Sequence, residues 1–371
     1  MPIEHGNILT EGGVFRKGYV EFDETIINVE TCENEKTAGS DEGPYIIPGL
    51  IDIHTHGAVG SDFSDASPEQ MQEMSLYYAK NGVTSFLATT LTIHDDALSC
   101  VMKNAALFER PEGGARCLGI NMEGPFLSFE KRGAHRGELL KEPDISMFRQ
   151  MNALSSNGIK LVSIAPELPG AMDFIREASK VCGVSLAHST ADYDTAMQAF
   201  ENGATHVTHL LNAMNPLLHR EPGIVGAAMD ARAYVEIICD GIHLHPALIR
   251  TIYKMFPGRV CMISDSVRST GLPDGNYELG GLPIIVKDGM STLEDGTIAG
   301  SIITLMQGGC NAVNFGIPLG DAVTAASANN ARSVGMEDTV GSLTPGRYAD
   351  IVILDGELNV QKVYIGGREI R

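Results

Sequence analysis

Through the middle of the chain, short apolar runs alternate with longer segments whose apolar residues recur at helical spacing. The runs cover residues 45–54, 84–89, 117–122, 160–164, 184–188, 205–210, 235–239 and 259–264. Most are flanked by Gly, Asn or charge and are apolar on both faces, as strands of a covered parallel sheet are. Amphipathic segments at 68–81, 95–109, 144–157, 171–181, 193–202 and 246–256 follow most of them and predict helices. Eight such units spread over residues 47–343 predict an α/β fold, a TIM-like (β/α)8 barrel. An open doubly wound sheet fits less well, because Gly57-Ala58-Val59-Gly60 after the first run opens no helix.

The two ends of the chain follow a different rhythm. Val14-Phe15, Tyr19-Val20-Glu21-Phe22 and Thr25-Ile26-Ile27-Asn28-Val29 near the start are short β-type runs. Near the end, 350–354 and 360–365 flank a turn at Asp355-Gly356. Both ends read as strands, which predicts one small β-sandwich domain assembled from residues 1–46 and 344–371.

Charge narrows the partners. The chain has 27 Lys plus Arg against 47 Asp plus Glu, a net charge of −20 over 371 residues. Such a surface repels phosphate backbones and anionic lipid, so neither nucleic acid nor membrane is expected as a partner. An anionic small molecule would need a local basic pocket. No run reaches the 18 apolar residues of a membrane span, and Met1-Pro2-Ile3-Glu4-His5 does not open like a secretory signal. The cysteines number seven, and Cys117, Cys239 and Cys261 sit within apolar runs, which predicts reduced thiols and a cytoplasmic location.

Barrel enzymes work at the carboxyl ends of their strands. Here the first run closes on Ile53-His54-Thr55-His56, the third on Met122-Glu123, the fifth on His188, the sixth on His209 and the eighth on Asp265. Residues two apart share a strand face, so His54 and His56 both can enter the barrel mouth. His206 stands three residues from His209 and is expected to face the other side; it is given a structural role, as are His5, His94, His219 and His245. Imidazoles and carboxylates without thiolate suit one or two divalent cations, Zn²⁺ foremost, with Fe²⁺, Mn²⁺ or Co²⁺ as alternatives. Asp265 is the candidate to carry a proton from an attacking water to a leaving group.

At these residues the sequence resembles the amidohydrolase superfamily and, within it, the family of N-acetylglucosamine-6-phosphate deacetylases. The segments that carry the resemblance are Pro48-Gly49-Leu50-Ile51-Asp52-Ile53-His54-Thr55-His56-Gly57, Glu123-Gly124-Pro125-Phe126, Gly133-Ala134-His135, Ala187-His188-Ser189, Thr208-His209-Leu210-Leu211-Asn212-Ala213-Met214, Asp240-Gly241-Ile242-His243, Ser264-Asp265 and Ala299-Gly300-Ser301. The ending Pro345-Gly346-Arg347-Tyr348-Ala349-Asp350 is also similar to the superfamily's β-domain.

The resemblance implies hydrolysis of the acetamide of a phosphorylated amino sugar. It implies Glu123, His188 and His209 as ligands of a main metal, with His54, His56 and Asp265 as a possible second set. It implies that His135 polarises the acetamide carbonyl. Substrate contacts are implied for Ala134, His135, Asn212, Ala213, Arg220, His243, Ile298, Ala299, Gly300 and Ser301, some reached across a homodimer interface. Superfamily members that bridge two metals with a modified lysine use the fourth strand; Lys160 stands at that strand's beginning, which leaves the bridging to Glu123. Two alternatives stay open: an amidohydrolase acting on N-acetylgalactosamine 6-phosphate or a cyclic amide, and a sugar-phosphate sensor without activity.

Overall fold

The computed structural model describes residues 2–36 and 43–371; Met1 and 37–42, which fall within the expected N-terminal part of the β-domain, lie outside the described residues. The central feature is an eight-stranded sheet of β1 (Leu50–Thr55), β2 (Val83–Thr89), β3 (Arg116–Met122), β4 (Ile159–Ile164), β5 (Gly183–Leu186), β6 (His206–Val207), β7 (Tyr234–Ile238) and β8 (Val260–Ile263). The strands neighbour one another in chain order and run parallel. Just past β8, Ser266 bridges in parallel to Thr55 of β1, which brings the sheet round into a barrel.

Helices follow the strands and cover the barrel's outside. Their starts have local causes. Ser67 and Gln70 form a reciprocal cap at the head of Pro68–Lys80, and the Asp192 carboxylate accepts from the Thr195 N–H at the head of Tyr193–Glu201. Met71, Met74 and Tyr78 of the first helix point inward, joining Phe63, Phe86 and Phe148 in the main core. Each such side chain withdrawn from water contributes roughly 1.5–3 kcal/mol.

The chain ends form a separate seven-stranded sheet. It runs Arg368–Glu369, Val360–Ile365, Ile351–Leu354, Tyr45–Pro48, Ile3–Leu9, Phe15–Phe22 and Ile26–Lys36. Ile8, Val20, Phe22, Ile46, Ile351 and Tyr364 make its core.

Several features depart from the sequence reading, three of them near the barrel strands. The run 45–54 is two strands: Tyr45–Pro48 pairs with Ile351–Leu354 in the terminal sheet, and Leu50–Thr55 opens the barrel. The break falls at Gly49, where a Cβ would stand 2.1 Å from the Thr84 hydroxyl, so only glycine lets the chain pass so close. A helix at Gly223–Asp230 went unpredicted because six of its eight residues are buried, so no polar face marks it. After β8 the chain also adds a small antiparallel sheet of Gly275–Leu279, Leu282–Lys287 and Met290–Thr292, set beside the barrel mouth.

Candidate active site

The strand ends deliver their polar side chains to one place. His54 and His56 come from the end of β1, Glu123 follows β3, His188 follows β5, His209 follows β6 and Asp265 follows β8. Glu123 stands at the centre. Its Oε2 lies 3.2 Å from His56 Nε2 and 3.5 Å from His54 Nε2, while its Oε1 lies 3.3 Å from Nε2 of both His188 and His209. Asp265 Oδ1 is 3.3 Å from His56 Nε2 and 3.6 Å from His54 Nε2. Several of these residues sit on unusual backbone: His188, His209, Leu211, Ala213 and Asp265 all have positive φ. Non-glycine residues adopt that conformation at a cost, and functional sites are where such strain collects.

Two of the four imidazoles that meet here have their Nδ1 protons committed elsewhere. The Lys131 carbonyl accepts from His188 Nδ1 at 2.8 Å, and the Glu236 carboxylate accepts from His54 Nδ1 at 2.9 Å. Each neutral ring therefore presents a bare Nε2 lone pair to the centre. Yet His188 Nε2 is 3.1 Å from His209 Nε2, and His54 Nε2 is 3.3 Å from His56 Nε2. Where both rings of such a pair carry their proton on Nδ1, the facing lone pairs repel unless a cation lies between them. Ligand atoms about 2.0–2.1 Å from a tetrahedral metal stand roughly 3.3 Å apart, the spacing seen here.

Electrostatics agree. Burial alone would lower His56, but hydrogen bonds and charge from Asp265 and Glu123 outweigh it and raise it to about 9. His54 is likewise held well above the ordinary value against burial, by Glu123 and Glu236. The site demands positive charge. Burial would raise Glu123 and Asp265, but the surrounding histidines hold Glu123 well below its usual range and Asp265 at about 2. His188 differs: burial, with His135 and His209 nearby, brings it to about 4, so it is neutral and free to ligate. The donor set fits one or two divalent cations, with Glu123 able to offer one oxygen to each.

His135 has the opposite tautomer. The Thr92 N–H donates to its Nδ1 at 3.2 Å, so the proton of the neutral ring sits on Nε2, which lies 3.6 Å from Glu123 Oε2. A cavity of about 700 Å³ opens above these groups, lined in part by His56, Glu123, His135, His188, His209 and Asp265. Leu91, Leu279, Leu282 and Leu293 give it an apolar side, and Lys131, Arg132, Arg136 and His243 a basic one. His243 Nδ1 donates to Asp240 at 2.6 Å, which leaves Nε2 available.

Of the expected substrate contacts, Ala134, His135, Asn212, Ala213, His243, Ile298 and Gly300 line this cavity. Ala299 and Ser301 stand behind its wall, where the Ser301 N–H donates to the Asp265 carbonyl and helps fix that strand end. Arg220 is elsewhere. It is exposed beside a second hollow lined by Asp192, Tyr193, Asn215 and Pro222, with its guanidinium on His219. Lys160 is the second residue of β4, at the end away from the site.

Two groups escaped sequence reasoning. Glu236, fully buried on β7, reaches His54, and its other oxygen lies 3.4 Å from His206 Nε2. His206 is thus turned toward the site's underside. The expected opposition to His209 fails because β6 ends at Val207 and strand alternation stops there. A lone carboxylate in Val235-Glu236-Ile237-Ile238 was the available signal. Lys131 was missed because its contribution to the cluster is a main-chain carbonyl.

The sequence profile of the amidohydrolase family matches residues 45–370. An N-acetylglucosamine-6-phosphate deacetylase from Bacillus subtilis is 36% identical over 366 residues, covering 95% of this chain and 92% of the relative. An N-acetylgalactosamine-6-phosphate deacetylase from Escherichia coli O157:H7 is also 36% identical, over 88% of each chain. Among solved structures, a mutant N-acetyl-D-glucosamine-6-phosphate deacetylase from Mycobacterium smegmatis, in complex with N-acetyl-D-glucosamine-6-phosphate, superposes with TM-score 0.91. It is 31% identical and covers 99% of this chain and 98% of its own. The corresponding enzyme of Thermotoga maritima gives TM-score 0.90 at 30% identity, covering 100% and 99%.

Proposed function

The chain belongs to the amidohydrolase family, and on that premise we propose that it hydrolyses the acetamide of N-acetyl-D-glucosamine 6-phosphate to D-glucosamine 6-phosphate and acetate. The observation that carries this reading is the meeting of four imidazole Nε2 atoms and two carboxylates beneath one cavity, with the Nε2 proton of His135 beside them. Glu123, His188 and His209 would hold one divalent cation, and His54, His56 and Asp265 a second. Zn²⁺ suits the nitrogen and oxygen donors best. When bound, such an ion supplies Lewis acidity that polarises a carbonyl and acidifies water.

The chain's own groups do the rest. Asp265, ionised at neutral pH, takes a proton as a water oxygen bonds to the acetamide carbon. His135 donates its Nε2–H to the carbonyl oxygen as that oxygen becomes negative. Asp265 then returns the proton to the nitrogen, the C–N bond breaks, and acetate and the free amine leave. Glu123 keeps the imidazoles apart and oriented.

The phosphate needs cations that a chain of net charge −20 lacks on average. His243 is in place at the cavity, whereas Arg220 lines a different hollow and would serve as a phosphate contact only across an interface between two copies, as in a homodimer with shared sites. All seven cysteines are unpaired, which supports a reducing, cytoplasmic setting. The 36% identity to the E. coli galactosamine relative favours one second reading, the 4-epimer as substrate. Acetate release from the two hexosamine phosphates by metal-supplemented protein tests both. The expected result is a higher kcat/KM for the gluco epimer; preference for the galacto epimer installs the second reading, and activity on neither removes both.

A further inference from the structure

The inference here rests on the metal-site reading above and deepens it. Glu236 is fully buried on β7, touches no part of the cavity and has no place in the steps just described. Its Oε2 accepts from His54 Nδ1 at 2.9 Å and sits 3.4 Å from the His209 N–H, while its Oε1 faces His206 Nε2 at 3.4 Å. One carboxylate therefore holds the ring of a residue near the end of β1 and the main chain of a residue after β6. The other imidazoles at the centre lack such a partner or use a weaker one: His188 bonds a carbonyl, and the Nδ1 atoms of His56 and His209 are buried without a partner among the described residues.

We propose that Glu236 is a positioning residue that fixes the His54 ring with its proton on Nδ1, so that Nε2 is presented to the cation held by His54 and His56. A ligating imidazole whose other nitrogen donates to a carboxylate is both oriented and made more basic, and loss of such a partner typically weakens metal affinity by about 10–100-fold. The effect is directional. His54 depends on Glu236 through its ring; His188 is anchored by Lys131 and is independent of it. His209 meets Glu236 only through a long main-chain N–H contact of 3.4 Å, so the cation on the His54–His56 side should feel the substitution far more than the cation on the His188–His209 side.

Glu236→Gln preserves shape and removes charge, and its amide can turn to donate to Nδ1 and so force the His54 proton onto Nε2. The experiment is a competitive chelator titration with Zn²⁺ on wild type, Glu236→Gln and His188→Ala, together with the proton NMR spectrum of Co²⁺-loaded protein. The expected result is one Zn²⁺ site weakened about 10–100-fold in Glu236→Gln with the other changed far less, and loss or shift of one exchangeable, paramagnetically shifted imidazole N–H. A change in packing alone would lower the melting temperature of the metal-free protein without selecting one site. Unchanged affinities, equal weakening of both sites, or an unaltered N–H resonance in a folded Glu236→Gln would overturn the proposal. Failure of wild type to bind Zn²⁺, or full binding by His188→Ala, would instead overturn the metal-site reading beneath it.

Discussion

The mouth of the barrel and the seam where its first and last strands meet are built from similar polar residues put to opposite use. At the seam, Asn330 of the helix Ala328–Ser333 donates to the carbonyls of Ile51 in β1 and Met262 in β8, at 2.6 and 2.8 Å. Its neighbour Asn329 donates to Val260 at 2.7 Å. Around them Ile51, Ile53, Cys261, Ile263 and Ala331 pack as one apolar cluster. Both asparagines are helical, and their amides close bonds that the strands cannot close for themselves. At the mouth, like groups crowd together, backbone is strained at His188, His209 and Asp265, and His56 Nδ1 and His209 Nδ1 go without partners among the described residues. At the seam the asparagine N–H donors are used within the chain, although Asn330 Oδ1 lies buried without a partner among the described residues. A polar group that acts is left needing something from outside.

That contrast breaks most visibly at Asp265. Asp265→Asn removes the proton carrier and keeps the shape, so turnover is expected to fall by about three orders of magnitude, within the range for general acid–base groups. Steady-state acetate release, with unfolding followed by circular dichroism, checks it; near-wild-type turnover would return the proton to another group. Next comes Arg220→Ala, expected to lower kcat/KM for the phosphorylated sugar by about two orders of magnitude, as loss of a charge-assisted contact does. Hydrolysis of unphosphorylated N-acetylglucosamine should hardly change, since it has no group there to lose. Equal loss on both sugars would make Arg220 part of the general scaffold.

The seam should respond in the other currency. Asn330→Ala strands two buried carbonyls, each worth about 1–3 kcal/mol when left unsatisfied. Denaturant unfolding is expected to show a loss of about 2–4 kcal/mol, while kcat/KM per folded molecule stays within about twofold of wild type. A large catalytic effect with little loss of stability would erase the distinction between seam and mouth.

Much of this was legible in the chain itself, for a physical reason. Strands covered on both faces must be apolar throughout, so the eight runs stood out, and a barrel displays its chemistry where strands end, so His54, Glu123, His188, His209 and Asp265 fell into one set. What was hidden depended on geometry that residue types do not encode. Gly49 divides one apolar run into strands of two sheets because Thr84 stands against it. Gly223–Asp230 is buried almost all round and so shows no helical stripe. Glu236 reads as a lone charge in an apolar strand until the fold places it under His54. Arg220 was named only by the resemblance, and a single chain leaves it outside the cavity.

The central claim is that the mouth is built around divalent cation and hydrolyses the substrate's amide. Its most direct test is acetate release from N-acetylglucosamine 6-phosphate before chelation, after exhaustive chelation, and after Zn²⁺ is restored, with metal content measured at each stage. Activity should vanish with the metal and return in proportion to the Zn²⁺ bound, the fold remaining intact throughout. Full activity in protein stripped of metal would contradict the account.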